Sequence, residues 1–160
     1  MAVAAGAGLL RLIAGVGFVN YDTLYALAWG GQLGRGQTPA YAIPIAPTPH
    51  PLVELIGLVL SPLSPRTIVD IAIALGFLAL AACGWVLYEL GSAWFNRLAG
   101  AVAAIVFLTR APVLSYGVRA YVDVPYVLLV LSALLVEVRR PLAGAPAVSY
   151  THLTLPTILR

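Results

Sequence analysis

The chain has 160 residues, of which 61% are hydrophobic and only 9% charged, and its mean hydropathy is +0.96. A water-soluble domain is usually about a quarter charged, so this chain lacks the polar groups to cover a surface facing water, and the bilayer is its expected solvent. The formal charge of +3 rests on Arg alone, with no Lys, and is too small and scattered for a nucleic-acid groove.

The first apolar segment, Ala2–Val19, is interrupted by Arg11. It lacks the basic stretch that precedes the core of a signal peptide, so a membrane anchor is expected. Arg at the centre of a span costs about 2.5–3.5 kcal/mol on insertion scales. Arg11 is therefore expected near one end, snorkelling to the interface, which would place the natural N-terminus further upstream.

Asn20–Pro51 is polar and aromatic, and contains "GGQLGRGQ" and "TPAYAIPIAPTPHP". Its prolines stiffen it and its aromatic rings anchor it, so it reads as an ordered loop rather than a linker. Within it, Asp22–Leu33 is expected to form a short helix lying on the membrane. Leu52–Leu63 is apolar but too short for a span, and suits an interfacial or re-entrant helix.

Ile68–Leu87 is the cleanest span, with Asp70 near one end and the lone Cys83 inside it. Cys83 has no disulfide partner in the chain and reads as a small core residue. Tyr88–Arg97 reads as a turn with interfacial aromatics. Leu98–Leu108 opens the next span, expected to run on past Arg110 and Pro112 towards Tyr116. Ser115–Asp123 reads as a polar loop, and Val124–Val138 as the last span, stopped by Arg139–Pro141. The expected architecture is an all-α, multi-pass bundle of about four spans with interfacial helices in its first loop. Arg139 and Arg140 at a span end favour a cytoplasmic N-terminus. Arg35, Arg66, Arg110 and Arg119 then fall on the outer side.

The tail Val148–Arg160, "VSYTHLTLPTILR", differs in composition from everything before it. Its back-translation resembles the transposon-end sequencing adapter CTGTCTCTTATACACATCT, in a frame consistent with Ala147. It is expected to be translated adapter and is set apart from residues 1–147, the expected truncated membrane domain.

With the N-terminus inside, Asp22 and Asp123 lie on one side of the membrane with Arg110, Arg119, His50 and Arg35. A carboxylate at a lipid–water boundary can take a proton from a hydroxyl nucleophile. Arg binds phosphate through paired hydrogen bonds and stabilises a phosphate leaving group. The same residues have plainer uses: Asp22 and Asp123 as helix caps, His50 as a loop hydrogen-bonder, the Arg residues as lipid anchors, and Asp70 as a cap or interface residue. One His in this region and dispersed acids make no recognisable metal-ligand set, so a divalent metal is possible but unsupported. No Gly-rich nucleotide-binding motif is present.

The stretch "YDTLYALAWGGQLGRGQTPAYAIPIAPTPHPL" resembles the first extracytoplasmic loop of polyprenyl-phosphate-sugar-dependent glycosyltransferases of the GT-C fold, the protein mannosyltransferase and aminoarabinose transferase group (glycosyltransferase family 39-like). In that pattern an acid follows the first span, then an aromatic residue, an amphipathic helix, a Gly-containing turn, a Tyr and a Pro-rich segment. These positions fall on Asp22, Tyr25, Gly30–Gly36, Tyr41 and Pro47–Leu52. "RAYVDVPYVLLVLSALLVEVRRP" resembles a later segment, with an acid before Pro, a span and a basic end. The sequence departs from the pattern where many relatives have a paired Asp-Glu, since Thr23 follows Asp22.

The resemblance implies inverting transfer of a sugar from a polyprenyl phosphate to a hydroxyl of a glycan, lipid or protein acceptor at the outer face of the cell membrane. Asp22 would be the base. Asp123 would position acceptor or donor, with Arg110, Arg119, His50, Tyr25 and Tyr41 contributing to binding. It also implies further spans and often a soluble domain, without which residues 1–147 would be inactive. Two other readings stay open. One is a secondary transporter with Asp70 or Asp123 as an intramembrane ion site; the other is a non-catalytic membrane scaffold whose acids only cap helices.

Overall fold

The computed structural model describes residues 1–42 and 44–139, and these are all-helical, with no strand. Seven helices follow in order: α1 (Ala2–Ala14), α2 (Tyr21–Gly34), α3 (Pro51–Leu60), α4 (Pro65–Trp94), α5 (Arg97–Thr109), α6 (Ala111–Val118) and α7 (Asp123–Arg139). The tail read as adapter lies outside the described residues, as does Arg140.

α4 is the axis of the molecule. It starts cleanly because Ser64 caps it, accepting a hydrogen bond from the Thr67 amide, and Pro65 opens its first turn. At 30 residues it extends about 45 Å and is the one described helix long and apolar enough by itself to cross a bilayer. It runs through the expected turn at Tyr88–Arg97 as far as Trp94, since neither Gly nor Pro with a breaking geometry intervenes before Asn96 caps α5.

α1 lies antiparallel to α4, with Gly6 beside Ala81 and Gly17 against Ile73 and Phe77. α5 returns antiparallel along α4. Gly91 and Gly100 let the two backbones touch, and a Cβ on Gly100 would sit 2.3 Å from the Tyr88 carbonyl oxygen. α7 runs parallel to α4, with Val124 near Cys83 at its start and Arg139 paired with Glu89 at its end. Phe77, Leu80, Cys83, Ala7, Leu10 and Val124 form the core between these helices. A second core joins α2 and α3 to the flank of α4 through Ala26, Leu27, Val53, Ala72 and Val122.

Two expected spans are shorter than the sequence suggested. α1 ends at Ala14 because Gly15 turns out of the helix at φ 75°. Thirteen residues rise about 20 Å, against the roughly 30 Å of a hydrocarbon core. Arg11 sits in its last turn, near one end as expected, with its guanidinium 5.9 Å from the centre of the Phe77 ring. The span expected to continue past Arg110 is broken there: α5 and α6 meet at a 67° bend. Pro112 has no amide to bond the Leu108 carbonyl and its ring would clash with it, so Arg110 turns extended. Ser115–Val118, expected in a loop, complete α6 instead. The last expected span, Val124–Val138, is helical throughout, within the 17 described residues of α7.

Candidate functional site

The site is built where two chain segments about a hundred residues apart meet. After Gly15 the chain runs extended, and the Phe18 amide donates to the Val118 carbonyl (3.0 Å) while the Asn20 amide donates to the Arg119 carbonyl (2.9 Å). The Thr23 hydroxyl, buried in the first turn of α2, donates to the Ala120 carbonyl at 2.6 Å. Ala120 takes a left-handed conformation (φ 46°) and presses on Gly76 of α4, where a Cβ would meet it at 3.0 Å. The start of α2 is thus fastened to the turn that leads into α7, and the two acid-bearing helix starts share one end of the molecule.

Asp22 is not the cap of α2. Asn20 holds that place, its side-chain oxygen accepting from the Thr23 amide at 2.9 Å. The Asn20 side-chain amide donates to Asp22 Oδ2 at 3.3 Å. Asp22 lies in the first turn, half-buried, where the helix dipole favours negative charge. A carboxylate held at one oxygen keeps its other lone pairs to accept further hydrogen bonds.

Asp123 opens α7 and is exposed. It lies at the rim of a cleft of about 380 Å³ between α4, α5–α6 and α7, whose walls include Leu80, Phe107, Val113 and Tyr116. Asp22 is not among the residues lining that cleft. The structure therefore joins the two helix starts through the backbone without placing both carboxylates in this cavity.

The other expected residues divide. Arg119 ends α6, with its guanidinium 5.6 Å from the Phe18 ring centre, and so stands at the junction itself. Arg110 is exposed at the bend between α5 and α6. His50 precedes α3 without a side-chain capping bond and lines a cleft of about 180 Å³ with Val122, just before α7, and Tyr126, in its first turn. Asp70 is exposed in the second turn of α4 rather than inside the bundle.

Tyr25 and Tyr41 belong to an aromatic ladder. Tyr21, Tyr25 and Trp29 recur at helical spacing along α2, with ring centres 4.8 and 5.5 Å apart. Tyr41, from the loop, meets Trp29 edge-on at 4.9 Å. Two further bonds tie the loop down: the Ala40 amide to Gln32 Oε1 at 3.0 Å, and the Tyr21 hydroxyl to the Ile45 carbonyl.

The ladder ends at a residue that the sequence reading passed over. Glu54 of α3 is 7% exposed; its Oε2 accepts from the Tyr41 hydroxyl at 2.8 Å, while its Oε1 is buried without a protein partner. That hydrogen bond, more than the accompanying burial, raises the Tyr41 pKa above its usual value. The signal was present: Glu54 is the only charged residue between Arg35 and Arg66. The expected Gly-containing turn also differs. Gly30, Gly31 and Gly34 are helical, and α2 crosses α3 there so closely that a Cβ on Gly30 would lie 2.0 Å from the Glu54 carbonyl oxygen.

Among the described residues no three His, Cys, Asp or Glu side chains gather as a metal site. No protein-family model matches the chain, and no curated protein or solved structure matches it.

Proposed function

We propose that the chain is the amino-terminal part of a multi-pass membrane glycosyltransferase of the GT-C type, which moves a sugar from a polyprenyl phosphate to an acceptor hydroxyl at the outer membrane face. The observation that carries this reading is the fastening of the Asp22 helix start to the segment before Asp123, through Asn20, Thr23, Arg119 and Ala120. It brings acid-bearing and Arg-bearing segments to one end of an apolar bundle. Large apolar side chains left exposed, among them Leu12, Ile13, Phe95, Leu98 and Leu129, support a lipid surround.

In this reading Asp22 accepts the proton of the acceptor hydroxyl as its oxygen attacks the anomeric carbon. The bond from that carbon to the phosphate oxygen breaks, and polyprenyl phosphate leaves with the electron pair. Arg119, and Arg110 where the helix bends, would face the growing negative charge. Asp123 would orient a hydroxyl at the rim of its cleft. His50, Tyr25 and Tyr41 would shape the binding surface.

The test is transfer of labelled sugar from a polyprenyl phosphate in membranes holding the protein expressed from its complete reading frame. Loss of a general base costs about 10²–10⁴-fold in rate, so Asp22→Asn should fall by that much with membrane content unchanged. Activity within a few-fold of wild type removes Asp22 from the chemistry.

A further inference from the structure

A third cleft, of about 400 Å³, opens between the outer flank of α2, the α3–α4 turn and the first turns of α4. Leu24, Leu63 and Ile68 supply its apolar walls. Arg35, which ends α2, is the only charged side chain in its lining, with Gln32 and Ser61 as its main polar company. Arg35 forms no ion pair with a carboxylate among the described residues; its Nε donates to Gln37 Oε1 at 3.4 Å. Gln32 spends its carbonyl oxygen on the Ala40 amide, which leaves its amide hydrogens to donate elsewhere. Asp70, one residue beyond Val69, is outside the lining.

We propose that this cleft holds one anionic phospholipid, its phosphate on Arg35 and its apolar part against Leu24, Leu63 and Ile68. A guanidinium pairs with a phosphate through two parallel hydrogen bonds. The charge decides the headgroup. With a cation and no carboxylate in the lining, a net negative lipid is complemented, whereas the ammonium of a zwitterionic lipid finds no counter-charge. The proposal rests on the membrane reading of the chain and not on sugar transfer.

The test is native mass spectrometry of the full chain, purified from mixed micelles of phosphatidylglycerol and phosphatidylcholine. One Arg near a membrane surface favours an anionic lipid by about five-fold, so wild type should keep phosphatidylglycerol by at least that ratio. Arg35→Gln should bring the ratio close to parity, and Arg97→Gln, at the start of α5, should not. Leu63→Trp, which fills the cleft from an exposed position, should release both lipids. An unchanged ratio in Arg35→Gln, an equal loss in Arg97→Gln, or displacement of the lipid by inorganic phosphate overturns the site. A chain that enters neither membranes nor micelles overturns the membrane reading itself, a separate outcome.

Discussion

Gly30→Ala tests the helix crossing that carries Asp22. A Cβ at position 30 would lie 2.0 Å from the Glu54 carbonyl oxygen and 2.7 Å from the Leu58 amide nitrogen. Both neighbours are backbone atoms of α3, so no side chain can rotate away, and the two helices must part by more than an ångström. Overpacking of this kind costs about 1–3 kcal/mol, and the rigidity of the obstacle puts Gly30→Ala in the upper part of that range. The added methyl also stabilises helix by about 1 kcal/mol relative to Gly. The net expectation is a loss of about 1–2 kcal/mol, or roughly five- to thirty-fold in the folded ratio. Gly8→Ala is the control: it lies in α1 with nothing within 4 Å of its added Cβ, and should gain about 0.5–1 kcal/mol. Reversible unfolding in mixed detergent, followed by circular dichroism, measures both. If Gly30→Ala proves as stable as Gly8→Ala, the close crossing of α2 and α3 is wrong, and with it the placement of Glu54 beneath Tyr41.

Thr38→Cys should react with a membrane-impermeant maleimide added to intact cells, because the loop it occupies lies outside in the proposed orientation. The native thiol of Cys83 is buried and should stay silent in the parent chain. Labelling only after permeabilisation would invert the orientation and remove Asp22 from the donor side. The Tyr41 bond gives a pH dependence. Its folded pKa is raised above 10.0 by the hydrogen bond to Glu54, so the contact's contribution is complete below the unfolded value and lost as pH rises through the folded one. Tyr21 is raised as well, so spectrophotometric titration should show more than one tyrosinate forming late, and Glu54→Gln should make one of them form earlier; the same curve for both proteins would refute the bond.

Much of the helical architecture can be read from residue types alone. Composition shows that the helices are largely apolar, Pro65 and Ser64 mark the start of the long helix, and "YDTLYALAWGG" carries its helix in the spacing of Tyr21, Tyr25 and Trp29. These are local properties, decided by side-chain polarity and by what each residue does to its own backbone. Pro112 held equally local information, but an apolar run on both sides hid the bend at Arg110. What the sequence could not disclose is the junction of Thr23 with Ala120, the burial of Glu54 under Tyr41, and the transfer of the cap from Asp22 to Asn20. The first two depend on partners brought together by the packing of α2, α3 and α6 around α4, and no periodicity links residues 97 positions apart. The third turns on where the first turn begins: Asn20, whose own amide donates to the Arg119 carbonyl, accepts from the Thr23 amide, and this puts Asp22 inside the helix rather than before it.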